Sequence, residues 1–199
     1  MGSLRCEKGS MIPAFSAANV VPPFVGDPAA LGPRSPYAVG ARDVVERFAT
    51  SPKRCDILRG WLRHRAAVHS LGLVDGFQWL DGSFCERLPH REPNDLDLVT
   101  FFVKPPNVDL RSLIAANRAI FASRLTKVQY LCDAYFVELH DGGLAEPGVV
   151  TYWYSLFSHR RDDLTWKGIL QVPLAPTNDA DAISALTLAI GRLPAPVVP

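Results

Sequence analysis

Long apolar runs are missing from this sequence, and so is a large charge of one sign. No stretch of about 18 apolar residues occurs, which argues against a transmembrane helix. Lysine and arginine (21) nearly balance aspartate and glutamate (20), so a broad electrostatic grip on nucleic acid is not expected. The start also lacks a positive segment followed by an apolar core, and we therefore expect a cytoplasmic protein without a membrane partner.

Cysteine is scarce, and its spacing does not indicate a metal site. The four residues are Cys6, Cys55, Cys85 and Cys132; none forms a C-x-x-C pair, and no histidine lies at zinc-finger spacing. A structural zinc site or a disulfide framework is therefore not expected. Cys85 lacks a histidine–acid partner pattern, so we do not interpret it as a nucleophile.

What the sequence does contain is the composition of one folded domain. Of its 199 residues, 48% are hydrophobic and 21% are charged, which suffices for a substantial core. Residues 1–10 are interpreted as a leader or cloning remnant, and residues 11–199 as a single domain. Within it we predict an extended proline-rich arm (11–40), N-terminal helices (41–72), a catalytic core (73–175) and a C-terminal helix with a tail (176–199).

Hydrophobic periodicity in the core predicts helices that alternate with strands. The expected strands are "GFQWLD" ending at Asp81, "DLDLVTFFV", "KVQYLCDAYFVEL" and "LTWKGILQVPL". The expected helices are "VDLRSLIAANRAIFASRL", "VVTYWYSLFSHRR" and "DADAISALTLAIGRL". This order favours an α/β (α+β) fold, with a mixed β-sheet of about four to five strands flanked by helices.

The most informative segment runs from Gly82 to Asp97. Eleven residues separate Ser83 from Asp95, which opens an apolar β run as Asp95-Leu96-Asp97. Residues two apart in a strand share a face, so the two carboxylates point the same way while Leu96 points to the opposite layer. Adjacent carboxylates repel, and a divalent cation with oxygen ligands, usually Mg²⁺ where phosphates are present, relieves that repulsion. The alternative is a pair of solvent-facing acids on an edge strand.

Gly82-Ser83 supplies the complementary half of such a site. A glycine after a strand permits a tight turn and a close approach of the backbone to a ligand. Backbone N–H groups at a turn or helix start attract phosphate oxygens, and the serine hydroxyl adds a donor. A phosphate-binding turn opposite paired carboxylates is the arrangement used for phosphoryl or nucleotidyl transfer.

The segment "LDGSFCERLPHREPNDLDLV" resembles the signature of the DNA polymerase β-like nucleotidyltransferase superfamily. Its surroundings, and the opening segments "MIPAF", "VPPFVGD" and "RSPY", are also similar to small bacterial nucleotidyltransferase-like proteins. The resemblance implies a nucleotidyltransferase-like fold. It further implies that Gly82 and Ser83 hold a nucleoside triphosphate, and that Asp95 and Asp97 bind two Mg²⁺ ions, with Mn²⁺ as an alternative.

The resemblance also implies a third carboxylate on a neighbouring strand. Asp133, the first of two acids in "YLCDAYFVEL", matches best, and Glu138 is the fallback. Asp133 would ligate the catalytic metal and orient or deprotonate the attacking hydroxyl. Lys167 is a further candidate for phosphate contact, and a solvated edge-strand lysine is its alternative.

The function implied is Mg²⁺-dependent transfer of a nucleoside monophosphate from a nucleoside triphosphate such as ATP to a hydroxyl. The sequence leaves the acceptor open among a protein, an RNA end and a small molecule. Some members of this minimal class act in toxin–antitoxin or phage-defence pairs, which implies a cognate partner protein. The alternative is a non-catalytic, antitoxin-like regulatory module that binds a nucleotide or a protein. Hydrolysis by the same carboxylates, as in a nuclease or phosphatase, is a third possibility.

Several other side chains have a functional and a structural interpretation. Residues near the motif that either steer phosphate or form a solvated loop are Arg87, His90 and Arg91. Four aromatic side chains have base stacking and core packing as their two interpretations, and core packing is favoured. They are Tyr152, Trp153, Tyr154 and Phe157. Histidines for which a structural or surface role is expected are His64, His69, His140 and His159.

Overall fold

A mixed sheet of five strands lies at the centre of the computed structural model, which describes residues 12–140 and 145–194. The strands are β1 (Tyr37–Ala38), β2 (Gly76–Asp81), β3 (Leu96–Val103), β4 (Cys132–Leu139) and β5 (Leu170–Pro173). Their order in the sheet is β1-β5-β2-β3-β4. β2 runs antiparallel to both of its neighbours, whereas β3 and β4 are parallel. The predicted fold class is therefore confirmed.

Seven α-helices flank this sheet within the described residues. They are α1 (Ala41–Phe48), α2 (Pro52–Ser70), α3 (Leu110–Ala116), α4 (Arg118–Phe121), α5 (Ser123–Tyr130), α6 (Pro147–Phe157) and α7 (Asp179–Arg192). Ser51 caps α2 as its sequence predicts, because its side chain accepts a hydrogen bond from the Arg54 N–H and Pro52 follows at the first helical position. None of the helices described is long and apolar enough to span a membrane.

The sheet is covered on both faces, which explains why β3 is an almost continuous apolar run. One face packs against α1, α2 and α7, and its core includes Leu96 and Leu98 of β3. The other face packs against Trp153 and Phe157 of α6 and includes Val99. Trp153 and Phe157 are buried, as core packing predicts, whereas Tyr152 is 60% exposed and does not belong to the core.

Two element boundaries differ from the expectation for local reasons. The strand expected from Lys127 begins only at Cys132, because α5 continues to Tyr130 and the chain then turns through Leu131, whose φ is 54°. The helix expected over 108–125 is divided into three, with breaks at Asn117 and Ala122. The Asn117 side chain donates a hydrogen bond to the Leu113 carbonyl at 2.9 Å and so competes with regular helix bonding.

Two further segments are shorter than expected. The last strand covers only Leu170–Pro173, because the residues just before it bond to the arm instead: the Gly168 N–H donates to the Val21 carbonyl at 2.7 Å. Helix α6 ends at Phe157, and His159 then forms an isolated β-bridge with Trp166.

The proline-rich arm packs on the domain. Val20 and Val21 are both buried, and the Tyr37 hydroxyl donates to the Pro22 carbonyl at 2.8 Å. Val20 also forms an isolated antiparallel bridge with Glu86, just after the candidate phosphate turn. The arm therefore contributes directly to the region of the candidate site. The interpretation of residues 1–10 lies outside the described residues.

Candidate functional site

Three aspartates form a row across neighbouring strands of the sheet. Asp97 of β3 pairs with Asp81 of antiparallel β2 on one side and with Asp133 of parallel β4 on the other. Paired residues on adjacent strands project from the same face of a sheet, so the three carboxylates lie side by side. Asp95, two residues earlier on the same face, immediately precedes β3. The structure thus brings together all three aspartates that the sequence singled out and adds Asp81.

The row opens into a cavity of about 620 Å³. Its acidic side is lined by Asp95, Asp97 and Asp133 together with Lys127, and Asp81, Gly82 and Ser83 line the same space. The remaining charged lining residues are Glu86, Arg87, Arg91, His159, Arg160, Arg161, Asp162 and Lys167. The cavity therefore contains both a carboxylate cluster and an arginine-rich wall. We use the latter name for Arg87, Arg91, Arg160 and Arg161.

Asp97 is the least neutralised member of the cluster. Among the described residues no basic side chain lies within ion-pair distance of its carboxylate. Partial burial, followed by the neighbouring carboxylates of Asp95 and Asp133, raises the pKa of Asp97 above its ordinary value. The position therefore favours a cation close to Asp97.

Lys127, in the last turn of α5, lies between the other two carboxylates. Its Nζ is 3.1 Å from Asp95 Oδ2 and 2.7 Å from Asp133 Oδ2. The Ser123 hydroxyl, one helical turn earlier, donates to Asp133 Oδ1 at 2.6 Å. Burial acts to raise the pKa of Asp133, but the hydrogen bonds from Lys127 and Ser123 outweigh it and lower that pKa. Asp133 is therefore held as a carboxylate.

Across residues 12–140 and 145–194, no group of three or more Asp, Glu, His or Cys side chains is arranged to hold a metal ion as it stands. The donor set nevertheless fits a hard divalent cation, since it consists of carboxylate oxygens with more negative charge than Lys127 neutralises. Asp81 adds a second indication: its Oδ1 atom is buried without a hydrogen-bond partner among the described residues. A cation would have to share or take the place of the Lys127 ammonium.

Gly82 brings the backbone against the carboxylate row. Its φ is +77°, in the left-handed region that favours glycine, and it precedes a short 3-10 helix over Ser83–Cys85. A Cβ atom at this position would lie only 1.8 Å from Asp97 Oδ2. The turn can therefore approach Asp97 only because residue 82 has no side chain.

The turn is held from behind by a buried arginine. The guanidinium of Arg54, on α2, donates to the carbonyls of Phe84 and Glu86 at 2.7 Å each, and it lies over the Phe84 ring. These charge-assisted bonds use carbonyls that the short 3-10 helix leaves unpaired. Arg54 therefore fixes the turn from the side opposite the cavity.

Lys167 lines the candidate cavity and is not a solvated edge-strand lysine. It lies before β5 rather than in an edge strand, and it is only 5% exposed. Its Nζ is 3.0 Å from Asp81 Oδ2 and 3.1 Å from Glu86 Oε1. Burial acts to lower the pKa of Lys167, but Asp81 and Glu86 outweigh it and raise that pKa. The ammonium lines the cavity while it neutralises two buried acids.

Asp81 and Glu86 depend on this network for their burial. Burial raises the pKa of Asp81 to about 7, against the opposing charge of Lys167. Glu86 accepts a second charged bond from Arg160 Nε at 2.8 Å, and Arg160 also donates to the Ala18 carbonyl of the arm. The arm, the turn and the arginine-rich wall are thereby connected through paired charges.

The family model described as a family of unknown function (DUF6932) matches residues 13–173. The chain belongs to DUF6932. Comparisons with curated proteins and with solved structures gave no significant match. Every residue that lines the cavity, from Ala18 to Lys167, lies within the region that defines DUF6932.

Other predicted candidates of this DUF6932 chain lie elsewhere or have structural contacts. Glu138, the fallback third acid, lines a separate cavity near Lys104 and not the one with Asp97. His64 is buried, and its Nε2 lies 3.0 Å from the Ile120 carbonyl, as expected for a structural histidine. Arg87 and Arg91 do line the candidate site, whereas His90 is exposed and does not.

Sequence reasoning missed Asp81 and Lys127 as residues of the DUF6932 site. The available signal for Asp81 is that this acid ends the apolar run "FQWLD" directly before the Gly82-Ser83 turn. Lys127 had no such signal, because it was assigned to a strand. In a helix, however, Ser123 and Lys127 lie four residues apart on one face, so both reach Asp133.

Proposed function

We propose that this protein is a Mg²⁺-dependent nucleotidyltransferase that moves a nucleoside monophosphate from a nucleoside triphosphate to a hydroxyl acceptor. One observation carries the proposal: Asp95, Asp97 and Asp133, from two adjacent strands and the residue before one of them, line a single cavity together with the Gly82-Ser83 turn. The resemblance to the polymerase β-like superfamily assigns the same residues to metal and triphosphate.

The division of charge in the cavity supports a metal–triphosphate ligand. The carboxylates of Asp95, Asp97 and Asp133 would hold the divalent ions. The Ser83 hydroxyl, the backbone of the turn and the exposed guanidinium groups of Arg87 and Arg161 would contact the phosphate oxygens. Lys167 serves this ligand indirectly, since its ammonium is used to neutralise buried acids.

The reaction forms one bond and breaks one. The acceptor oxygen attacks the α-phosphorus, the bond from that phosphorus to the β-phosphate bridging oxygen breaks, and pyrophosphate leaves. The hydroxyl proton passes to Asp133 or to solvent. When bound, two Mg²⁺ ions supply charge stabilisation for the attacking and leaving oxygens. Arg160 and Arg161 line the same cavity, and the exposed Arg161 adds positive charge to it.

Release of pyrophosphate and transfer of α-³²P label test this proposal. The purified chain is incubated with Mg²⁺, each nucleoside triphosphate in turn, and protein, RNA or small-molecule acceptors. We expect Asp97→Asn to abolish label transfer, with a loss of at least about a hundredfold. Glu138→Gln is the matched control, because this carboxylate lies on the same strand as Asp133 but lines a different cavity. Full transfer by Asp97→Asn would contradict the proposal.

A non-catalytic binding module is the second candidate, and one contact favours it. Lys127 already neutralises part of the carboxylate cluster without a metal ion. Calorimetry with Mg²⁺ and each nucleoside triphosphate distinguishes the two functions. Binding without pyrophosphate release under all acceptors supports the module, whereas release of γ-phosphate as free phosphate indicates hydrolysis.

A further inference from the structure

We infer that Lys127 is an internal cation of the carboxylate site, which its ammonium occupies until a divalent ion displaces it. The inference rests on the proposed function, because it concerns the same cluster, and it assigns a regulatory role to a residue outside the predicted catalytic set. Its basis is the position, exposure and bonding of one side chain.

The position of the ammonium is that of a bridging cation. Lys127 Nζ contacts one oxygen from Asp95 and one from Asp133, at 3.1 and 2.7 Å, and so joins the start of β3 to β4. Lysine binds as a compact point charge on a flexible stem, which makes it the side chain most similar to a small monovalent ion. The two carboxylates that a divalent ion requires are therefore already gathered around a positive charge.

The ammonium is free to leave. The Lys127 side chain is 45% exposed, and the two carboxylates are its only hydrogen-bonding or ion-pair partners in the part of the chain that is described. Asp133 keeps its bond from the Ser123 hydroxyl when Lys127 withdraws, so that carboxylate stays oriented. Displacement thus breaks two half-exposed ion pairs and leaves the arrangement of the strands intact.

The remaining charge explains why a divalent ion would win this competition. Lys127 offers one positive charge to a site that also contains Asp97, which has no ion pair among the described residues. Asp81, whose buried Oδ1 has no hydrogen-bond partner among the described residues, is a further residue of the same cavity. A doubly charged ion neutralises more of this cluster than an ammonium does. Lys127 therefore weakens metal binding without preventing it.

Binding of Mn²⁺ alone, followed by the electron paramagnetic resonance signal of free Mn²⁺ and by calorimetry, tests the inference. The proteins compared are the full chain, Lys127→Met, Lys127→Arg and the double variant Lys127→Met/Asp97→Asn. Lys53→Met serves as a control, because Lys53 lies in the first turn of α2 and does not line the cavity. Circular dichroism verifies that each variant is folded.

Removal of the competing ammonium should tighten Mn²⁺ binding by Lys127→Met about tenfold relative to the full chain. Lys127→Arg should bind no more tightly than the full chain, and Lys53→Met should equal it. The double variant should lose this increase in Mn²⁺ affinity, which would indicate that the ion binds at Asp97. Unchanged or weaker binding by Lys127→Met, with binding still lost in the double variant, would overturn the role of Lys127 and leave the proposed metal site in place. Absence of Mn²⁺ binding in every variant would overturn both.

A measurement on the unmodified chain provides a second test that does not depend on a variant folding. Brief treatment with acetic anhydride, followed by peptide mass spectrometry, reports how available each lysine amine is. We expect Mg²⁺ to increase acetylation of Lys127 several-fold, because the amine leaves its ion pairs, and to leave Lys53 unchanged. Equal acetylation of Lys127 with and without saturating Mg²⁺ would overturn the inference.

Discussion

Gly82 shows how a single missing side chain shapes the candidate site. Two conditions apply to it at once: a left-handed backbone and a neighbouring carboxylate oxygen within 1.8 Å of any added Cβ. The first condition is shared by Gly26, whose φ is +83° but which has no atom within 4 Å of an added Cβ. A comparison of Gly82 with Gly26 therefore separates the cost of backbone strain from the cost of the steric conflict with Asp97.

We expect Gly82→Ala to lower the free energy of unfolding by about 3 kcal/mol or more and to abolish binding of Mg²⁺ and a nucleoside triphosphate. The physical reason is that Asp97 or the turn must move to accommodate the methyl group. Gly26→Ala, which has the backbone strain alone, should cost about 1 kcal/mol and bind normally. Urea denaturation and calorimetry measure both effects. Equal losses in the two variants would refute the steric explanation.

Individual residues also show how much of the candidate site could be predicted from the sequence. The shared face of Asp95 and Asp97 followed from strand alternation. Leu96, between the two aspartates, and Leu98, after them, are apolar and are both buried on the opposite face. The contacts of Lys127 did not follow, since they depend on where α5 ends. A boundary error of a few residues was enough to move this side chain out of the site.

At the scale of elements, helix α2 controls the turn that follows β2. Its buried Arg54 holds two carbonyls of that turn, while Arg59, on the same helix, forms an exposed ion pair with Asp56. Helical periodicity places both arginines off the apolar stripe that contains Leu58 and Leu62. Periodicity assigns a helix face but does not reveal that a polar face can itself be covered by a loop.

We expect Arg54→Met to destabilise the protein by about 3 kcal/mol, because it leaves the Phe84 and Glu86 carbonyls without their charged donor. The affinity for a nucleoside triphosphate should fall as well, since the turn loses its support. Arg59→Met, with an exposed pair of little energetic value, should change stability by less than about 0.5 kcal/mol. Thermal denaturation and calorimetry provide the comparison, and a stable, fully binding Arg54→Met would argue against this role.

At the scale of the whole molecule, the order of elements and the two-layered burial of the sheet were predictable from the alternating apolar runs. The ion pair of Arg65 with Asp179, at 2.9 Å, was not, because it joins α2 to the start of α7 across a long sequence separation. The five-stranded order was likewise inaccessible to local patterns, since β5 inserts between β1 and β2. Such pairings depend on tertiary packing rather than on neighbouring residues.

The stability of the whole domain should depend on pH through His64. Burial lowers its pKa from 6.5 to about 4, so the folded protein keeps the ring neutral while the unfolded chain takes up a proton below about pH 6.5. This contribution to stability is complete above pH 6.5 and is lost as the pH falls toward 4, by up to about 3 kcal/mol. His64→Gln, which retains a donor for the Ile120 carbonyl, should remove this part of the pH dependence.

Chemical denaturation between pH 4.5 and 7.5 measures that difference. The exposed His90, changed to Gln, is the control, and its curve should follow that of the unmodified chain. A His64→Gln curve with an undiminished slope below pH 6.5 would show that other groups cause the acid sensitivity.

The row of Asp81, Asp97 and Asp133 would link the proposed metal binding to the completion of folding. Each carboxylate arrives on a different strand, and a slip of one residue in the pairing of β3 would turn Asp97 to the opposite face. A chain in which these strands have not yet joined therefore offers divalent ions no common binding place. Ions that bind only the finished sheet draw the folding equilibrium toward it, so the protein should become harder to unfold in proportion to how well it is loaded.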